Sequence, residues 1–172
     1  MTQVTAFPPV WDSRSKVLIL GTMPGVQSLE NQQYYANPRN QFWQILYALF
    51  GRTPDAGYEE RLRFALDHGI ALWDVLHGCE REGSLDADIR EPEANDLPAF
   101  LQQPDHGIRH VFFNGSKADQ LFRKLVFLPA RPVSEEPYRM YCLPSTSPAH
   151  TVPFDAKMEK WQLIKEVLDN SR

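Results

Sequence analysis

Cysteine, glycine, positive charge and long apolar runs are all in short supply in this chain of 172 residues, and each shortage excludes something. Two cysteines, Cys79 and Cys142, cannot build a disulfide framework and read as reduced thiols. Four thiolates for an iron–sulfur cluster are simply not there, and the cysteines and the five histidines are read as having neither C-x-x-C nor H-x-x-x-H spacing, so neither a metal nor a cofactor is expected. Nine glycines against fourteen prolines argue for shaped, stiff loops rather than flexible linkers. No stretch approaches the ~18 consecutive apolar residues of a membrane span, and the N-terminus lacks the basic and apolar regions of a secretory signal. A soluble, cytoplasmic protein is the expectation. Lysine and arginine total 18 against 22 acidic residues, a net charge of −4, which argues against a broad phosphate-binding footprint. A small basic rim around a pocket remains compatible with that balance, because screening makes local charge matter more than the total.

What the chain does have is an ordinary apolar fraction of 42% and four Trp, six Tyr and ten Phe, enough for a core with aromatics to spare. At this length one domain over residues 1–172 is expected, and no repeat, low-complexity run or linker divides it.

Periodicity sets out the elements. Lys16–Leu20 is a short apolar run closed by Gly21 and Pro24, a strand. Asn40–Phe50 carries Phe42, Ile45, Leu46 and Leu49 at helical spacing, widened by Trp43 and Tyr47, so a deeply buried helix is predicted. Tyr58–His68 reads as a helix ended by Gly69, and Ile70–Asp74 as a second strand followed by a polar loop to about Glu91. A short helix near Asp96–Gln103 precedes a strand at His110–Asn114. Ser116 is placed to cap a helix through Ala118, Leu121, Phe122 and Leu125. Met140–Leu143 is a fourth strand, and Asp155–Asp169 a final helix. Apolar strands alternating with helices predict an α/β fold of three layers, α/β/α, around a central four-stranded parallel sheet. Such sheets bind ligands at the carboxyl ends of their strands. That rule selects Gly21–Gly25, Asp74 onward, Asn114–Ser116 and Pro144–His150.

The first of these, Gly21-Thr22-Met23-Pro24-Gly25, is neither a dinucleotide fingerprint nor a phosphate loop. It is followed by Tyr34-Tyr35-Ala36-Asn37-Pro38-Arg39-Asn40-Gln41-Phe42-Trp43, two aromatics and an amide directly before the buried helix. Asn40 fits a helix cap, a site residue, or both at once. Leu143-Pro144-Ser145-Thr146-Ser147-Pro148-Ala149-His150 is a proline-stiffened loop with three hydroxyls that could donate to phosphate. Asp74 ends an apolar strand, either capping the next turn or presenting a carboxylate to a ligand. The charges at Glu80–Glu82 read as a solvated loop.

These segments, with Gly69–Leu76, Cys79–Leu85 and Asn114–Ala118, resemble the hypoxanthine-DNA glycosylase (DNA-deoxyinosine glycosylase) family of the uracil-DNA glycosylase superfamily, in order from about Val17 to His150. The resemblance implies removal of a deaminated base from double-stranded DNA by a monomer needing no metal. It implies a base pocket formed by Gly21, Thr22, Met23, Phe42, Asp74 and Asn114, with Phe42 stacking on the flipped base. Pro24, Gly25, Tyr35, Arg39, Ser145, Thr146, Ser147 and His150 would touch DNA, the last loop entering the duplex. Uracil-removing relatives carry Asp or Asn where this chain has Met23, and often His where it has Leu143. Both departures fit hypoxanthine better than uracil. With Met23 unable to orient water, Asn40 becomes the candidate for holding it. The alternatives are a uracil or xanthine enzyme of the same fold, a lesion-binding protein without turnover, and an unrelated nucleotide enzyme.

Overall fold

A strand such as Val17–Gly21, apolar along its whole length, has to be covered on both faces. The computed structural model, which describes residues 2–127 and 138–171, covers it on both. We number strands and helices in chain order. The central sheet is parallel, with strands β2 (Val17–Gly21), β3 (Ile70–Asp74), β6 (His110–Asn114) and β7 (Arg139–Leu143) in the spatial order β3-β2-β6-β7.

Alternation along β2 sorts the two cores. Val17 and Ile19 face a cluster with residues of helices α2 (Phe42–Ala48), α3 (Tyr58–Asp67) and α6 (Phe154–Asn170). Leu18 and Leu20 face the other side, with α4 (Leu97–Leu101) and α5 (Ser116–Phe122). The three-layer α/β/α arrangement expected from the sequence is therefore present, with strand and helix positions within a few residues of those predicted.

Two expectations need correction. The stretch after Asp74 is not a polar loop: β4 (Leu76–Glu80) and β5 (Arg90–Ala94) join β1 (Gln3–Thr5) in a second, antiparallel sheet of order β1-β4-β5. Leu76 and Cys79 sit in the core on the α4 and α5 side, so tertiary pairing makes a strand of a segment whose own composition is poor for one. Asn95 ties the two sheets together, its Nδ2 donating to the carbonyls of Asp74 (2.8 Å) and Leu76 (3.2 Å). Ser116 is not a cap either. It is the first helical residue, and Gly115 holds the cap position at φ +99°, where an ideal Cβ would lie 3.0 Å from that of Ser145. Helix α1 (Val26–Asn31) was not expected; at six residues, with Ser28 its one buried side chain, it carries no apolar period to set it apart from loop. No helix among the described residues is long and apolar enough to cross a membrane.

The last helix fixes the loop after β7. Trp161 is fully buried in α6, and its indole N–H donates to the Pro144 carbonyl at 2.9 Å. Trp161→Phe keeps most of the apolar volume but strands that carbonyl, a loss of about 1–3 kcal/mol. Urea unfolding should show a lower midpoint with an unchanged slope; an unshifted midpoint would mean that water replaces the bond at no cost.

Candidate active site

In spatial order the four parallel strands end at Asp74, Gly21, Asn114 and Leu143, with Gly21 paired to Asp74 and Asn114 to Leu143. Above the first three opens a cleft of about 700 Å³. Its walls are the Gly21–Ser28 segment, Tyr34 and Tyr35, Asn37, Arg39 and Asn40, Ser84–Ala87, and the Ser145–His150 loop. Of the residues singled out from the sequence, all but Phe42 line it.

Asp74 forms the floor. It is 4% exposed, and its Oδ2 is buried with no hydrogen-bond partner among the described residues. Its side chain does not cap the following turn; Val75 and Leu76 donate instead to the carbonyls of Gly21 and Thr22. The carboxylate lies so close over the end of β2 that a Cβ on Gly21 would meet Asp74 Oδ1 at 2.6 Å and the Tyr35 hydroxyl at 3.1 Å. Only glycine leaves room for both polar groups at that point. Burial pushes the Asp74 carboxyl up to about 7, helped by the charge of Asp86 and opposed by Arg81. Burial and the neighbouring Asp74 likewise push the Tyr35 hydroxyl up, so it stays protonated.

Phe42 stands one layer behind. It is fully buried, and the Tyr35 ring stacks flat on it at 3.8 Å with 17° between planes. Tyr35 reaches that position through a left-handed backbone conformation, φ 58°, an uncommon state for an aromatic residue. The aromatic ring lining the cleft is thus Tyr35, with Phe42, expected to stack on a base, directly behind it. Asn40 does two things at once. Its Oδ1 accepts from the Phe42 N–H at 2.9 Å, one residue ahead of the cap position, which Gln41 holds without a side-chain bond, and it lines the cleft.

Asn114 is committed to scaffolding. Its Nδ2 donates to Thr146 Oγ1 (3.0 Å) and to the Tyr35 hydroxyl (3.3 Å), while its Oδ1 accepts from the Thr146 backbone N–H (2.9 Å). Thr146 is fully buried, and its carbonyl accepts from the Gln41 N–H. Of the three hydroxyls expected to meet phosphate, Thr146 is therefore withdrawn into this clamp. Ser145 and Ser147 stay at the cleft, each oxygen accepting a backbone N–H within the loop and keeping its O–H to donate. Arg39 and His150 are the basic residues among those that line the cleft, both exposed. Met23 lines it as well but packs mainly into the core with Leu18, Leu20 and Trp73.

Two charged residues escaped sequence reasoning. Arg81, read as part of a solvated loop, is 1% exposed and donates through Nη2 to the Pro24 carbonyl, holding the first loop from behind. Asp86 lies in the cleft wall, its carboxyl pushed up by burial against the pull of Arg81 and the Thr22 hydroxyl. The alternating charges at Glu80–Glu82 could have been read as a strand with one inward position, but only pairing with β1 makes that visible. His106 and His110 do stand in H-x-x-x-H spacing. Their rings, however, are engaged apart, His106 at the Phe100 carbonyl and His110 at the Tyr141 hydroxyl, and no cluster of three or more potential ligands occurs among the described residues.

The profile of the uracil DNA glycosylase superfamily matches residues 8–168. Two curated relatives, each named hypoxanthine DNA glycosylase, come from Methanosarcina acetivorans and Methanosarcina barkeri. They are 39% and 36% identical over 115 residues, 66% of this chain and 72% of theirs. A solution NMR structure of a Methanosarcina acetivorans protein put forward as a uracil DNA glycosylase superposes with a TM-score of 0.79. It is 32% identical and covers 98% of this chain and 99% of its own. A match of that extent, running through every strand end that builds the cleft, makes this chain a member of the uracil DNA glycosylase superfamily.

Proposed function

We propose that the chain is a monofunctional DNA glycosylase that hydrolyses the N-glycosidic bond of hypoxanthine, releasing the free base and leaving an abasic site. The observation that carries this reading is the buried, unpartnered Oδ2 of Asp74 on the cleft floor. A buried carboxylate without a donor is costly, and a ligand that brings a donor recovers that cost. Hypoxanthine carries a proton on N1; adenine presents a lone pair there and an amino group at C6. An ionised Asp74 gains a charge-assisted hydrogen bond from the first and repels the second. Sites built around a required donor reject analogues lacking it by ~10⁴ or more. The names of the two curated relatives support the same base.

The remaining groups fit the chemistry. A flipped base lies against Tyr35, backed by Phe42. Cleavage puts positive charge on the sugar and negative charge on the departing purine, so donors belong at the base and phosphates near the cation. Ser145, Ser147, Arg39 and His150 hold the phosphates, and Asn40 positions the attacking water. With one lone pair of Oδ1 given to Phe42, Asn40 keeps a second lone pair and its N–H groups for that water; as an amide it takes no proton.

Three outcomes are expected. In a panel of duplexes carrying hypoxanthine, uracil, xanthine or adenine, abasic sites form fastest from hypoxanthine, survive chelation, and leave no adduct on borohydride treatment. DNA binding without base release from any of them would make the protein a lesion binder. Asn40→Ala should keep DNA affinity and lose about 10²-fold in single-turnover rate, while the lost hydrogen bond from the Phe42 N–H costs about 1 kcal/mol of stability. A folded variant with a normal rate would reduce Asn40 to a support for the start of α2. For Asp74, hypoxanthine release should rise with pH through about 7 as the carboxyl ionises. Asp74→Asn should flatten that limb and narrow the gap to adenine, since an amide can turn its donor toward N1. A rate that falls through the same range would instead make Asp74 a proton donor.

A further inference from the structure

Extruding a base from a duplex costs a few kcal/mol of unstacking and leaves a gap, and proteins that distort DNA commonly insert an apolar side chain between bases. The loop expected to enter the duplex, Ser145–His150, has nothing of the kind. Thr146 is buried, and the side chains it presents beyond serine are Pro148, Ala149 and His150. On the wall reached from the β3 side of the sheet, the situation is reversed. Leu85 lines the same cleft and is 54% exposed, the most exposed large apolar side chain among the described residues.

Single exposed leucines are ordinary on protein surfaces, so the setting decides. Leu85 is presented by a braced segment. On one side Ser84 Oγ accepts from the Val26 N–H at 2.8 Å, and Ser84 packs against Gly25. On the other, the Leu85 carbonyl accepts from the Asp88 N–H at 3.0 Å, starting a short 3₁₀ turn over Asp86–Asp88 that ends on buried Ile89. Gly83 begins the segment at φ +76°. An apolar side chain held out to solvent by hydrogen bonds before and after it, at the mouth of the cleft, is poised to be buried by whatever docks there.

We propose that Leu85 is the wedge that enters the base stack as the target base is extruded, the Ser145–His150 loop holding phosphates across from it. The proposal rests on the glycosylase reading and adds to it which wall penetrates the duplex. Leu85 touches neither the reacting bond nor the water; it acts by stabilising the extruded state.

The test uses the whole protein and three hypoxanthine substrates: a single strand, a matched duplex, and a duplex with pyrene opposite the lesion, which fills the gap in place of a side chain. Losing the burial of a leucine side chain corresponds to about tenfold or more in rate. Leu85→Ala should lower the ratio of duplex to single-strand single-turnover rates by that factor, pyrene should restore it, and Leu85→Met should keep it. A duplex rate for Leu85→Ala equal to wild type overturns the proposal. So does an equal loss on both duplex and single strand, which would make Leu85 part of the pocket wall, or a duplex loss that pyrene leaves in place. Failure of the wild-type protein to release base from any of the three is a different result: it removes the glycosylase reading, and the wedge with it.

Discussion

The cleft is organised around a buried carboxylate, one oxygen of which has no donor among the described residues. Asp74 sits at the end of β3 against the end of β2, and the absence of a Cβ on Gly21 is what lets its carboxyl and the Tyr35 hydroxyl crowd the same point. The energetic consequence has a definite sign. Because burial raises the folded-state pKa from 3.8 to about 7, the contribution of this group to stability is intact below the lower value and lost as pH rises through the upper one. At and above neutral pH the protein holds a destabilising charge, an arrangement that makes sense where a ligand supplies the missing proton donor.

Everything around Asp74 works to keep that geometry fixed. Asn95 pins the strand end by two carbonyls, Arg81 braces the opposite loop through Pro24, and Asn114 orients the Tyr35 hydroxyl while clamping Thr146. Trp161 holds Pro144 from the helix layer beneath. The two cores on either face of the parallel sheet therefore reach the site by different routes, one through the Tyr35–Phe42 stack and one through Met23 and the second sheet. Substitutions well away from the floor are transmitted to it through these few bonds.

Much of this was legible in the sequence, for physical reasons that also explain what was not. Strands β2, β3 and β6 are buried on both faces, so they appear as continuous apolar runs, and their carboxyl ends follow from the handedness and ligand rule of parallel sheets. Helices α2, α3 and α6 carry their burial as a 3.6-residue period. By contrast β1, β4 and β5 exist only through each other: Gln3–Thr5 pairs with Gly78–Glu80 across more than seventy residues, and no local pattern announces it. That is why Arg81 was read as solvated and Asp86 was passed over within a polar loop. The depth at which Phe42 and Thr146 sit was hidden for a related reason. Their residue types suit a ligand site, but the backbone turn at Tyr35 and the amide of Asn114 claim them first.

The claim that Asp74 waits for a donor is tested most directly by following its carboxyl carbon by NMR as pH is changed, with and without DNA. The Asn40→Ala protein allows the measurement on a bound, uncleaved hypoxanthine duplex. Free protein should titrate at about 7, and the hypoxanthine duplex should move that midpoint down, because N1–H stabilises the ionised form, while an adenine duplex should not. A free midpoint at the ordinary 3.8, or one that hypoxanthine leaves in place or raises, would contradict the account.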